Sequence, residues 1–466
     1  MLNSARRPVI AYTTLATYQT EFWAEVALEL ERTGTPTVAI SFDDPSTDLL
    51  RRKGLRVYSA TNAERNPDTS DASFAALAAR FTIGSADRWF AHERVAFGLK
   101  STVELRRKLT LALALADRAL GDVGREASVE LVQEVGGFLS VVGSWFAAQR
   151  LGIRSWFIEP SFFRGRMFLS DHGFGAPVIP AGEAAVSSDV TQYLDTTVRQ
   201  QAIVVPRKDS HHYAAATRKV FNARNARRLV EKLFDKYVRG KSMEFGYIGH
   251  HAATHLRMVS NSRLLRRHYT SPDALGRFVY YPLHVPGDMS LTLRSPEFLD
   301  QLALVDYLAR SAPPTHKIAI KEHPAMIGAL DASAVRALLD RHENVALLPP
   351  TTNNFVVLRA CEAVVSVNSK SGAEAALLGK PVLVLGDAFY GDSPLVERVR
   401  LAELGARLGD ILAGDWQQPS RTQVESYFER VWRASVPGEL YVAERPNVAT
   451  FVYGIKSRII SMPEEC

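Results

Sequence analysis

The sequence predicts an α/β protein: two Rossmann-like domains with parallel sheets facing across a cleft, and a basic helical segment between them. Three observations predict it. Short apolar runs alternate with segments of helical period, the pattern of a parallel sheet covered by helices. The alternation comes in two blocks, interrupted near residue 196 and resumed after Ser271-Pro272. A chain of 466 residues, 46% hydrophobic and 23% charged, is also too long for one core and ordinary in composition for a globular protein. The expected divisions are 1–195, 196–272, 273–430 and a terminal segment, 431–466, that returns to the first domain.

In the first block, strands are expected over 8–13, 35–41, 55–59, 128–133 and 155–159, with a helix over 19–32. Residues 91–120 read as one or two helices, because Leu105, Leu109, Leu113 and Leu120 recur at helical spacing and call for packing. A helix over 136–151 follows a strand, and its Gly136-Gly137 start permits close backbone approach, to a ligand or simply in a turn.

The net charge of +6 is unevenly distributed. Residues 199–269 hold 16 Lys or Arg against 4 Asp or Glu, a local excess of about +12, and the rest of the chain is negative. Within this stretch Val220, Leu229, Leu233, Phe234, Tyr237 and Val238 form an apolar stripe flanked by Arg224, Arg227, Arg228, Lys232 and Lys236, a basic amphipathic helix. Such a segment is drawn to anionic lipid, packs on its own protein, or is a solvated face.

The second block predicts strands over 277–282, 316–321, 345–348, 363–367 and 381–385, with helices over 296–310, 332–341, 354–360 and 371–378. The tail over 423–432 is helical, and an apolar segment over 448–460 follows. Two motifs sit where strands end: Lys321-Glu322-His323-Pro324, and Asn368-Ser369-Lys370-Ser371-Gly372-Ala373-Glu374-Ala375. In open α/β sheets ligands bind at that edge. Pro324 keeps His323 out of helical geometry, so its imidazole either donates to a phosphate or merely ends a strand. Asn368, Ser369, Ser371 and Gly372 open a helix, whose positive end suits an anion; Ser371 with Glu374 also fits a capping box. Asp288 follows the first strand of this block and is either a nucleophile or base, or an Asx turn after Pro286-Gly287. Glu159 and Asp171 bracket a loop with Arg164 and Arg166, expected to face the cleft as anion contacts or as a salt-bridged loop.

No apolar run approaches the ~20 residues of a membrane span, and residues 1–12 lack a signal-peptide core, so a cytoplasmic protein is expected, peripheral on the inner membrane face if the basic segment binds lipid. The two cysteines, Cys361 and Cys466, form no framework and are expected to be inert.

Tyr281-Pro282-Leu283-His284 through Asp288, Glu322-His323-Pro324, residues 368–375, Gly379-Lys380-Pro381-Val382, residues 386–390 and, more weakly, 159–173 together resemble the capsule polysaccharide biosynthesis family. That family contains the bacterial retaining β-Kdo transferases, Kdo being 3-deoxy-D-manno-octulosonic acid. The resemblance implies a GT-B fold with an acceptor-side first domain, a nucleotide-sugar-binding second domain and a C-terminal helix crossing back. It implies that His323, Pro324, Lys321, Asn368, Ser369, Ser371, Gly372 and Glu374 line the nucleotide pocket, His323 holding the phosphate. Asp288 matches the carboxylate that attacks the anomeric carbon and Glu159 the one that assists acceptor chemistry; Arg164, Arg166, Asp171 and His284 are assigned to sugar or acceptor. The basic segment widens the interval between Glu159 and Asp288 relative to the family.

The implied activity is transfer of Kdo or a related sugar from a CMP donor to a glycan or lipid-linked acceptor, with retention. No cofactor, metal or nucleic-acid partner is expected. There is no Asp-x-Asp motif, Asp43-Asp44 suits a turn, and a monophosphate leaving group carries less charge than a diphosphate. Two other classes stay open: an isomerase like the non-hydrolysing UDP-sugar 2-epimerases, which share the fold and a similar Ser-Gly-x-Glu-Ala turn, and a non-catalytic capsule-assembly subunit. An epimerase has no need of a membrane-seeking segment.

Overall fold

The computed structural model describes residues 8–202, 207 and 233–460. Val220, Arg224, Arg227, Arg228, Leu229 and Lys232 of the expected basic helix lie outside the described residues.

The first sheet has the order β13-β6-β5-β4-β1-β2-β3. Its parallel body is β1 (Val9–Thr14), β2 (Thr37–Ser41), β3 (Val57–Ser59), β4 (Val129–Glu134) and β5 (Arg154–Pro160). Every residue of β1 and β2 is buried, as expected of strands covered on both faces. Alternation assigns the faces. Ala11 and Val38 meet the helices Thr102–Gly124 and Leu139–Arg150, while Ile10, Tyr12 and Ala39 meet the helices Thr17–Arg32 and Arg445–Ile459. The long helical stretch divides into Ala86–Phe97 and Thr102–Gly124 at Gly98, a left-handed cap with φ +64°.

One edge departs from the expected all-parallel sheet. β6 (Arg166–Ser170) folds back antiparallel on β5, pairing Pro160 with Met167 and Phe157 with Ser170, and β13 (Ser435–Pro437) closes that edge. Of the loop expected between Glu159 and Asp171, residues 166–170 are thus a strand.

The second sheet is wholly parallel, in the order β12-β11-β10-β7-β8-β9: β7 (Phe278–Pro282), β8 (Lys317–Lys321), β9 (Val345–Leu347), β10 (Ala363–Ser366), β11 (Val382–Val384) and β12 (Glu397–Arg398). The helix Ser188–Gln200 belongs to this half, burying Val190 and Leu194 with Tyr280, Val364 and the helix Arg421–Ala434. After that helix the chain crosses back through β13 to Arg445–Ile459, where Phe451 meets Phe22 edge-to-face at 4.9 Å and Trp23 at 5.8 Å. The two sheets joined by this crossover form a GT-B-like arrangement.

In both sheets the strand order reverses beside the first strand, between β1 and β4 and between β7 and β10. Such a reversal opens a crevice at the carboxyl ends of the strands, the place where open α/β sheets bind ligands. No helix among the described residues is long and apolar enough to cross a membrane.

Candidate active site

The crevice between β7 and β10 is built by the turns that leave β7, β8 and β10. Beyond β7 the chain reaches Asp288, whose carboxylate caps the turn Met289–Thr292 by accepting the Ser290 N–H at 2.9 Å. The Asx-turn reading is therefore correct locally, and it leaves the chemical reading intact, since a carboxylate tethered to its own turn is held in one orientation. Asp288 is exposed to solvent, on a turn whose apolar residues Met289 and Leu293 pack against the first domain. Burial opposes its charge, yet the Ser290 amide and hydroxyl and the nearby His284 and His92 outweigh this and hold the carboxyl below its usual range.

His284 is buried, its backbone clamped by Gln301 through N–H to Oε1 at 2.6 Å and Nε2 to C=O at 3.2 Å. Burial pushes its imidazole down to about 4, so it is neutral at pH 7, and its Nε2 has no protein partner. His323, half-buried beyond β8, accepts the Ala325 N–H on Nδ1 at 3.2 Å. In the neutral ring this assigns the proton to Nε2, a donor suited to an anionic oxygen.

Beyond β10 the helix Lys370–Leu377 is capped by Ser369, whose hydroxyl accepts the Ser371 N–H at 3.2 Å. The capping box between Ser371 and Glu374 does not form. Glu374 turns inward, buried, and accepts from the Asn354 amide, which also donates to Ser371 Oγ at 3.0 Å. Burial raises the Glu374 carboxyl to about 7 and lowers the buried Lys321 amine to about 8, its Nζ donating to Thr352 C=O at 3.0 Å. Gly372 is required by packing, since a Cβ there would lie 2.2 Å from the Tyr390 hydroxyl. Glu374, Lys321 and Gly372 are thus buried beneath the turn after β10. Asn368 links the turns, donating to Ser290 C=O at 2.7 Å, and its buried Oδ1 is without a partner.

From the first domain, Glu159 at the end of β5 is gripped by the buried Arg294, with both carboxylate oxygens bonded at 2.6 and 3.0 Å. The same guanidinium donates to Phe174 C=O at 2.8 Å and Gly175 C=O at 3.0 Å. Lys370 donates across to Ser161 C=O at 2.9 Å. Two expected cleft residues are elsewhere. Arg166 stacks on Trp432 at 4.0 Å and donates to Ser435 and to Trp432 C=O, clamping the crossover, because β6 carries it to the β13 edge. Asp171 is exposed past the far end of β6, where the antiparallel turn has taken the chain away from the ligand edge and its charge acts on Glu130 near the start of β4. Arg164 keeps an exposed side chain at the hairpin. The buried Cys361 thiol is pushed up to about 12.

A model of capsule polysaccharide biosynthesis proteins matches residues 143–403, more than half of the chain and every turn described above. The chain belongs to this family. As a capsule biosynthesis protein it is 34% identical over 139 residues to Protein FixF of Sinorhizobium fredii, an alignment covering 29% of this chain and spanning only about a third (33%) of that protein's length. Among solved structures it is similar to a Thermosulfurimonas dismutans KpsC β-Kdo 2,7 transferase (15% identity, 73% of this chain and 89% of that one, TM-score 0.36). Anabaena HepE in complex with UDP and glucose is also similar (13% identity, 97% and 99% covered, TM-score 0.32).

Sequence reasoning missed Arg294 and His92, which carry no local signal: one lies between short turns and the other inside a helix of the first domain. Tyr441 was missed too. It is a non-glycine residue at φ +61° whose hydroxyl bonds Glu134 at the end of β4, beside the exposed Tyr18 ring at 5.6 Å. Among the described residues no group of three or more His, Cys, Asp or Glu is arranged to hold a metal ion.

Proposed function

We propose that this capsule biosynthesis protein is a glycosyltransferase that moves Kdo or a related sugar from a CMP-activated donor to a glycan or lipid-linked acceptor, with retention. One observation carries the reading. Asp288 is an ionised, tethered carboxylate at the reversal point of the second sheet, tied through Asn368 to the anion turn after β10 and electrostatically linked through His284 to His323 after β8. A nucleophile thus lies beside a phosphate-binding edge. In the first step a bond forms between the Asp288 carboxylate and the anomeric carbon as the bond to the phosphate oxygen breaks, and CMP departs with the electron pair. His323 Nε2–H and the amino end of the helix Lys370–Leu377 face the charge that develops on that phosphate. In the second step the acceptor hydroxyl attacks the same carbon, displaces the carboxylate and restores the configuration. Glu159 can take the acceptor proton only when its Arg294 pair opens.

The deciding experiment is a panel of CMP-, UDP- and GDP-sugars followed by nucleotide release and thermal stabilisation, where a ligand at 100 times its Kd adds about 2.7 kcal/mol. Asp288→Asn is expected to abolish transfer and leave nucleotide stabilisation nearly intact, because the carboxylate acts in the transition state. Trapped enzyme is expected to carry one sugar on the Asp288 peptide. Near-normal transfer by Asp288→Asn, or an inverted product, rejects the assignment.

A further inference from the structure

We propose that His92, a residue of the first domain, is a positioning residue that holds the Asp288 carboxylate of the second domain in its reactive orientation. This rests on the reading of Asp288 as the nucleophile.

The turn Met289–Thr292 is four residues long, far below the length at which a helix holds its own shape. Asp288 closes its amino end, and its last residue is Thr292, fully buried. His92 Nδ1 lies 2.9 Å from Thr292 Oγ1, a hydrogen bond between residues 200 positions apart that joins the two domains. Around it the turn is seated on the first domain: Met289 and Leu293 are buried in the core that holds Trp89 and Phe90, and a Cβ on Gly287 would lie 3.2 Å from Ala96 Cα. The nucleophile therefore belongs by chain to one domain and by packing to the other.

The imidazole has no freedom. Phe138 packs edge-on at 4.8 Å, and a Cβ on Gly137 would fall 2.3 Å from His92 Cγ. The absence of a side chain at Gly137 thus makes room for this ring. His92 Nε2 is buried without a partner, an unfavourable state that a leucine of similar volume would avoid. What a leucine lacks is the bond to Thr292, whose own N–H donates to the Asp288 C=O at 3.0 Å and so ties the ring to the residue that carries the carboxylate. Burial keeps His92 neutral at pH 7, so it acts on Asp288 through the Thr292 bond and not as a charge partner.

The test uses the full chain and CMP-Kdo, with His92→Leu, Thr292→Val, the double variant, and His92→Asn, whose amide nitrogen can take the place of Nδ1. His92→Leu is expected to lower kcat on the order of 100-fold, with the donor KM unchanged and adduct formation on the Asp288 peptide slowed in parallel. Thr292→Val is expected to follow it, the double variant to be no slower than His92→Leu, and His92→Asn to recover much of the rate. Additive losses, or a lowered melting temperature with wild-type kcat well below it, overturn the positioning role. Wild-type turnover in His92→Leu beside an inactive Asp288→Asn rejects this inference alone, whereas an active Asp288→Asn rejects the nucleophile itself.

Discussion

Glu374 shows how much a buried side chain alters the meaning of a motif. Along the chain Ser371 and Glu374 fit a capping box, whereas in the fold the carboxyl lies beneath the turn after β10, with Asn354 and near Lys321. Burial raises it from the ordinary 4.5 to about 7. The folded chain then binds this proton more tightly than the unfolded chain does, so the stabilisation is complete below about pH 4.5 and is lost as pH rises through about 7. Glu374→Gln, which keeps the acceptor for Asn354 without the charge, is expected to match wild type near pH 4.5 and exceed it by about 1 to 3 kcal/mol at pH 8. Urea unfolding across that range checks it, and a pH-independent difference between the two proteins rejects the buried-acid account. Asp288 behaves oppositely. Its turn and its histidine neighbours hold its carboxyl below the usual range, so these two carboxyls are shifted in opposite directions.

At the scale of elements, the crossover decides whether the two halves stay in register. Phe451 is fully buried between Phe22 and Trp23, and Gly438 and Gly454 allow β13 and the last helix to touch, since a Cβ on Gly454 would lie 2.6 Å from Pro437 C=O. Phe451→Ala removes a large ring from a closed site and is expected to cost about 3 to 5 kcal/mol. A shift in the denaturant midpoint corresponding to less than ~1 kcal/mol means that the terminal helix does not hold the first domain. The return of the terminal segment was legible because residues 448–460 are apolar, and its helical form came from the family resemblance. β6 was not, since Arg166–Ser170 is short and its partner β13 lies nearly 270 positions away. The helix Ser188–Gln200 looks like any amphipathic helix, and nothing local says which core takes its apolar face.

For the whole molecule, the charge asymmetry is the property that reaches furthest. Residues 199–269 carry about +12, and at their described end Phe234 (47% exposed), Tyr237 (71%) and Val238 (67%) stand beside Lys236 and Arg239. Further along, Lys241 pairs with Asp48, the Ser242 backbone bonds Asp44, and Phe245 packs on Phe97 and Phe138, so the segment is fastened to the first domain beside His92. Binding to anionic vesicles is expected, weakened by salt and lost when Arg224, Arg227, Arg228 and Lys232 become Glu. Flotation that ignores both salt and these changes leaves only a solvated face.

The alternation that builds two parallel sheets is legible along the chain, as are the places of Asp288, His323 and Ser369 at strand ends. Those signals are local: an apolar run, a proline that forbids a helix, a serine before a helical turn. Which way each side chain faces, and what it meets there, was decided only by the tertiary structure. Arg166 clamps the crossover because β6 turns back, Asp171 leaves the cleft for the same reason, and Glu374 points inward because Asn354 lies beneath it. Arg294 reaches Glu159, and His92 reaches Thr292, across a domain boundary. Orientation and long-range partnership arise from packing between segments distant in the chain, and no window of sequence contains both partners.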